Sequence, residues 1–214
     1  MKISIKGPIV SNNCAWIYEY FGDEHVAPKK VIEALAEANG EDVDIEINSG
    51  GGDVFAGSEI YSAIRAYTGK VNIHVVGLAA SAASVIACAG KSDMAPTAQM
   101  MVHNVSTYSA GDYHDMDKAA DMLRQANRAI AAAYVEKSGM SEQDALDLMD
   151  AETWITAQDA VDYGLIDSIA ESKNSDPDGN VNFSLAASVG GMLPPSVIDK
   201  MQKRKQALLD FFAE

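Results

Sequence analysis

Ser81, His103, Asp150 and Glu152 are the side chains in this sequence whose types and order suit nucleophilic acyl transfer. Ser81 lies in "VVGLAASAASVIACAG", residues 75–90, a run nearly devoid of polar groups apart from two serines. A serine hydroxyl is a poor nucleophile until a base takes its proton, and the reaction also needs donors aimed at the oxygen that becomes negative. His103, at the end of "QMMVHN", is the candidate base. His74 sits inside a strand pattern, while His25 and His114 stand in polar surroundings at helix starts, so these three read as structural. For the orienting acid, "LMDAETWIT" offers Asp150 and Glu152, and spacing does not choose between them. Donors are available from the backbone. The Ala82 amide, just after Ser81 at a helix start, has no helical partner, and Gly52 in "NSGGGD" can turn a second amide into a cleft. Alanines at 79, 80, 82 and 83 leave room for a substrate backbone. Taken singly, each residue has a duller role: a serine at a helix start is ordinarily a cap, and a histidine at a strand end is ordinarily just hydrogen-bonded.

These residues need elements to place them, and apolar periodicity supplies the outline. "KISIKGPI" alternates like an edge strand, and "VAPKKVIEALAEANG" has Pro28 early, helical apolar spacing and Gly40 as a stop. "DVDIEINSGGG" predicts a strand running into a glycine turn, followed by a helix over "VFAGSEIYSAIRAYTG". "KVNIHVVG" repeats the pattern, with a small-residue helix beginning near Ser81, and "AQMMVHN" is a third strand ending at His103. Residues 112–138 predict one long helix of about 40 Å at 1.5 Å per residue. "SEQDALDLMD" opens with a capping-box pattern from Ser141 to Asp144, and "TAQDAVDYGLID" predicts a further helix stopped by Gly164. Strands alternating with helices predict an α/β protein with parallel pairing. From Glu171 the chain turns polar, and "ESKNSDPDGNVN" reads as a linker. Beyond it, "PPSVIDKMQKRKQALLDFFAE" predicts an amphipathic helix with Val197, Met201, Leu208, Leu209 and Phe212 near one face. Packing on its own or a neighbouring subunit is the ordinary role for such a tail. A docking segment or a remnant of a scaffold is the sharper alternative.

Composition limits the partners. With 214 residues, 48% of them hydrophobic, the chain is long enough for one domain with a substantial core and an appendage. A formal net charge of −15 repels phosphate backbones and anionic membranes, so neither nucleic acid nor membrane is expected as a partner. Cys14 and Cys88 lack metal-like spacing, no metal or cofactor is implied, and the apolar setting of Cys88 reads as a buried thiol in a reducing compartment. No stretch matches a signal peptide or a membrane span, which predicts a cytoplasmic protein.

Four segments, "INSGGGDVFAGSEIYSAI", "VVGLAASAASVI", "QMMVHN" and "ETWITAQDAVDYGLIDSI", resemble in order and spacing the signature segments of the ClpP serine protease family. In style the chain is most similar to the ClpP-like prohead proteases of bacteriophages, and the resemblance covers about residues 3–170. It implies Ser81 as nucleophile, His103 as base, and the Gly52 and Ala82 amides as the oxyanion hole. The acid position falls on Glu152, where the family's housekeeping members carry Asp; Asp150 remains the alternative. The implied fold is the ClpP/crotonase-like spiral of β-β-α units, as a protease domain over residues 1–170 with 112–138 projecting as a handle helix and 171–214 as linker and tail.

The resemblance also implies a function. Peptide bonds would be hydrolysed through an acyl-enzyme without metal or cofactor, by a homo-oligomer arranged as one heptameric ring or two stacked rings. The alanine-rich "KAADML" and "AIAAAY" suit close helix packing between rings. The substrate would be a peptide or protein, for a phage-type enzyme a scaffold, portal or capsid protein cut during head maturation, in the host cytoplasm or the prohead. The chain starts at its first strand, without the segment that forms axial loops in the family's housekeeping members, which weakens the case for feeding by an unfoldase, so ATP-independent action is expected; with no Walker-type loop, any ATPase would be a separate protein. The alternatives are a bacterial ClpP-type subunit working with an unfoldase, a crotonase-like acyl-CoA enzyme, and a non-catalytic assembly protein of the same fold. A Ser-Lys signal-peptide peptidase is a weaker choice, because it would usually bring a membrane segment. Of these, the acyl-CoA enzyme has no need of the Ser81 and His103 pair.

Overall fold

A computed structural model describes residues 1–171 and 193–213. Its organising element is β3 (Val71–Ala80), ten residues long, which is fed by two strand-to-helix units. β1 (Lys2–Lys6) pairs in parallel with β2 (Val43–Ser49), and β2 with β3. Two strands then share β3. Its first half, Asn72–Val75, pairs with β4 (Lys91–Met94), and its last residues, Leu78–Ala80, pair with β5 (Gln99–Val102), both in parallel. β7 (Ser168–Ile169) extends the sheet beyond β4, and β6 (Thr153–Thr156) pairs antiparallel with β5. The expected parallel α/β architecture is present, with that one antiparallel pair among the described residues.

The alternating pattern of β1 to β3 divides the sheet into two faces. Ile3, Ile5, Val43, Ile45, Ile47, Ile73 and Val75 are buried in the main core. The opposite face carries cross-strand polar pairs: Lys2 with Glu46, Asn72 Nδ2 donating to Asp44, and His74 Nδ1 2.9 Å from Asp93 Oδ2. That pairing accounts for His74 as a structural residue. The Asn72 hydrogen bond holds the Asp44 carboxyl below its ordinary range.

Helices α2 (Pro28–Ala38), α3 (Val54–Ala66) and α4 (Ala82–Ala87) cover the apolar face. α2 starts on Pro28 and stops at Asn39 in the left-handed region, one residue before the expected Gly40. Asp53 caps α3, accepting from the Ala56 amide at 2.8 Å. α5 (Tyr113–Ser138) is a single helix of 26 residues with a capping box on Asp112 and Asp115. Its alanine-rich end is buried at Ile130, Ala131, Ala133 and Tyr134, while much of its first half is exposed. α6 (Glu142–Asp150) and α7 (Ala157–Asp162) both open with capping boxes, on Ser141 with Asp144 and on Thr156 with Asp159.

Lys137, near the end of α5, donates to Gly90 O and to Asp167, whose carboxylate also accepts from the Ser92 amide. Burial alone would raise the Asp167 pKa, but these donors outweigh it and hold the group below the ordinary carboxylate range.

Two further helices complete the described residues. α1 (Asn12–Phe21), not foreseen from the sequence, packs Ile17 and Tyr18 into a second cluster with Val10 and Ala27. α8 (Pro195–Ala213) lies against it through Ile198 and Met201, and the Leu193 amide donates to Tyr18 OH at 3.0 Å. The described part of the tail therefore packs on its own chain. The linker expected from 171 falls largely on residues 172–192, outside the described residues, as do the side chains of Leu208, Leu209 and Phe212.

Candidate active site

Ser81 occupies the one-residue turn between β3 and α4. Its backbone has φ 55° and ψ −127°, a conformation that L residues adopt at a cost of about 1–3 kcal/mol and that surrounding contacts must enforce. Such a sharp strand-to-helix turn lifts the side chain clear of the sheet. Several contacts hold it. The Ser81 amide donates to Met101 O at 2.9 Å, and Ser81 O accepts from both the amide (2.9 Å) and the hydroxyl (2.6 Å) of Ser84.

Gly51 and Gly57 let neighbouring backbone press against this turn. A Cβ on Gly51 would come within 2.5 Å of Ala80 O and 2.7 Å of Ser81 Cβ, and Gly51 itself has φ +86°. A Cβ on Gly57 would meet Ala82 Cβ at 2.8 Å, so α3 and α4 touch only because that residue is glycine. Gly51→Ala is expected to cost about 1–3 kcal/mol from strain and overpacking, read as a lower urea midpoint with an unchanged slope. A midpoint equal to the parent's would show that the turn is not held by this contact.

The structure brings Ser81 and His103 together. Ser81 Oγ and His103 Nε2 are 2.7 Å apart, the geometry in which a neutral imidazole accepts the hydroxyl proton. β5 delivers His103 one residue past its end, because β5 pairs with β3 in a register that sets Ala80 beside Met101. Both side chains are half-buried.

The two expected amides are also available. Gly52 forms an isolated bridge to Ile9, through the Asp53 amide donating to Ile9 O, while neither the Gly52 nor the Ala82 amide donates to backbone of a described residue. Gly52 has φ +149°, and a Cβ there would fall 2.1 Å from Ile9 O, so only glycine fits.

Neither candidate acid contacts His103. Asp150, the last residue of α6, accepts from Asn104 Nδ2 at 2.6 Å. Glu152 is exposed, with φ +48°. Register separates the two, however. β5 and β6 pair Met101 with Trp154 and Val102 with Thr153, where the ladder ends; that register continued by one residue would set Glu152 opposite His103. Asn104 Oδ1 is buried without a partner among the described residues, an acceptor left open beside the histidine.

Sequence reasoning passed over Ser84, Tyr134 and Asn127. Ser84 Oγ lies 2.8 Å from Tyr134 OH, both groups buried, and Asn127 Oδ1 accepts from the Val105 amide at 2.8 Å. The signal for Ser84 was present, since it is the second polar residue of the 75–90 run. Cys88 is inert in this setting: burial pushes its thiol up to about 12. A separate cleft of about 280 Å³, lined by the Arg65 and Glu136 pair and by Lys137 with Asp167, includes neither Ser81 nor His103. Among the described residues there is no cluster of metal-ligating side chains and no helix long and apolar enough to cross a membrane.

The family model for Clp protease matches residues 23–173. The chain is 35% identical over 166 residues to the ATP-dependent Clp protease proteolytic subunit 1 of Chlamydia abortus, covering 72% of this chain and 86% of that one. It is 34% identical over 140 residues to subunit 1 of Streptomyces avermitilis, 64% of each chain. The proteolytic subunit of Streptococcus agalactiae is 32% identical over 144 residues, 65% of this chain and 74% of the relative.

Proposed function

The chain belongs to the Clp protease family of serine peptidases, and from that premise we propose that it is an endopeptidase whose nucleophile is Ser81 and whose base is His103. The 2.7 Å contact between Ser81 Oγ and His103 Nε2, made on a strained turn, is the observation that carries this reading. Ser81 Oγ attacks the scissile carbonyl carbon while His103 Nε2 takes its proton. The carbonyl oxygen becomes negative between the Gly52 and Ala82 amides, each such donor contributing roughly 3 kcal/mol to lowering the barrier. The C–N bond then breaks as His103 returns the proton to the leaving amine. Water attacks the acyl-enzyme by the same route and releases Ser81. Glu152 is the orienting carboxylate, supported by its register position opposite His103 and closing on Nδ1 when substrate or neighbouring subunits order the site. Catalytic hydrogen bonds that are long in a free enzyme commonly tighten in the complex.

The finer role is cleavage of phage scaffold, portal or capsid proteins during head maturation, in the host cytoplasm or prohead, without ATP. The resemblance in style to the ClpP-like prohead proteases of bacteriophages supports it. The subunits assemble into a heptameric ring or two stacked rings, with α5 as the handle within a ClpP/crotonase-like spiral; its exposed first half supports that placement. A second reading follows from the relatives' names, which describe ATP-dependent proteases: a subunit fed by a separate unfoldase.

Fluorophosphonate labelling with mass-spectrometric mapping tests the core of the proposal. The adduct is expected on the peptide containing Ser81, and an adduct on any other serine, or none, overturns it. Cleavage of an unfolded protein without nucleotide separates the two biological readings.

A further inference from the structure

We propose that Asn127 and Tyr134, on one face of α5, are positioning residues that set the distance between Ser81 and His103. They stand seven residues apart, which in an α-helix is about 10.5 Å and about 20° short of two full turns, so both side chains leave the same face. Each grips one half of the reactive pair.

At one end, Tyr134 is 2% exposed and Ser84 fully buried, and their oxygens lie 2.8 Å apart. The single proton of Ser84 is directed at Ser81 O, 2.6 Å away, so Tyr134 must be the donor to Ser84. Burial raises the tyrosine pKa, which keeps that donor proton in place. The relay ends on the carbonyl of the residue with φ 55°. The other contacts of that carbonyl are local to α4, so Tyr134 ties the turn to a distant part of the chain.

At the other end, β5 stops at Val102, and residues 103–112 have no regular structure. No ladder therefore holds the backbone beyond His103. The Asn127 side chain fills that role by accepting from the Val105 amide at 2.8 Å, two residues past the base. A rigid helix with a grip at each end transmits a fixed separation, and displacements near 1 Å at a reacting pair can cost on the order of 100-fold in rate. The inference rests on the reading that Ser81 and His103 are the reactive pair.

The test compares Tyr134→Phe, Asn127→Leu and Asn127→Asp, with kcat and KM on a fluorogenic peptide normalised to sites titrated by fluorophosphonate. Tyr134→Phe keeps the ring packing and loses only the donor; Asn127→Asp keeps an acceptor for Val105, whereas Asn127→Leu does not. Tyr134→Phe and Asn127→Leu are expected to lower kcat by about 10- to 100-fold with KM within about twofold, and Asn127→Asp to stay within about threefold of the parent. Parental kcat in both Tyr134→Phe and Asn127→Leu overturns the proposal, as does an Asn127→Asp loss equal to that of Asn127→Leu. A purely structural role would move the melting temperature and leave kcat per titrated site unchanged. Failure of the underlying reading is distinct: it would appear as continued labelling of Ser81→Ala.

Discussion

Ser81→Ala is expected to lower kcat on a peptide substrate by on the order of 10⁶-fold, and His103→Ala by a similar factor. Combining the two should cost little more than either alone, because in the proposed mechanism the hydroxyl and the imidazole act as one unit across their 2.7 Å contact. What survives is the contribution of binding and the two backbone donors, roughly 10³–10⁴ over water. Folding should be nearly untouched by Ser81→Ala. The turn conformation is imposed by the Ser84 bonds, the Met101 carbonyl and the Gly51 contact, none of which uses Ser81 Oγ. Turnover on a fluorogenic peptide, with circular dichroism as the folding control, checks this. A well-folded Ser81→Ala protein retaining more than about 1% of the parental rate would remove Ser81 from the mechanism.

Glu152→Gln is expected to lower kcat by on the order of 10⁴-fold, the scale set by losing the carboxylate that orients a catalytic histidine. The glutamine is nearly isosteric, so the loss would report charge and tautomer control rather than packing. Asp150→Asn should stay within about tenfold of the parent, since its carboxylate is already engaged by Asn104 and lies outside the register step that faces His103. Steady-state kinetics on the two variants decides between them. The opposite order of effects would assign the role to Asp150, and two near-parental enzymes would leave a Ser-His dyad.

Much of this site was legible because its parts follow from local rules. Ser81 was marked by polarity in an apolar run, Gly52 by a glycine cluster after an alternating strand, and His103 by its place at a strand end. The choice between Asp150 and Glu152 depended on which residues β5 and β6 set opposite each other, and β6 had not been read as a strand although "TWIT" has the β-branched and aromatic residues of one. β4, "KSDM", carries no such signal; it is a strand because β3 and β7 offer partners on either side. α1 was missed for another reason. Its ten residues are rich in aromatic side chains that read weakly as helix, and its clearest sign was Gly22, which closes it in the left-handed conformation. Asn127 and Tyr134 act over separations of 22 and 50 residues, which no periodicity records.

The pairing of β4 with β7 has a consequence for translation. Ser92 and Asp167, which join those strands, are 75 residues apart, so at about 5–20 residues per second a ribosome spends roughly 4–15 s between making one and the other. Throughout that interval the nascent polypeptide presents an open strand edge, a ready template for other chains. Chaperone demand should therefore peak late in synthesis, before the last strand emerges from the exit tunnel.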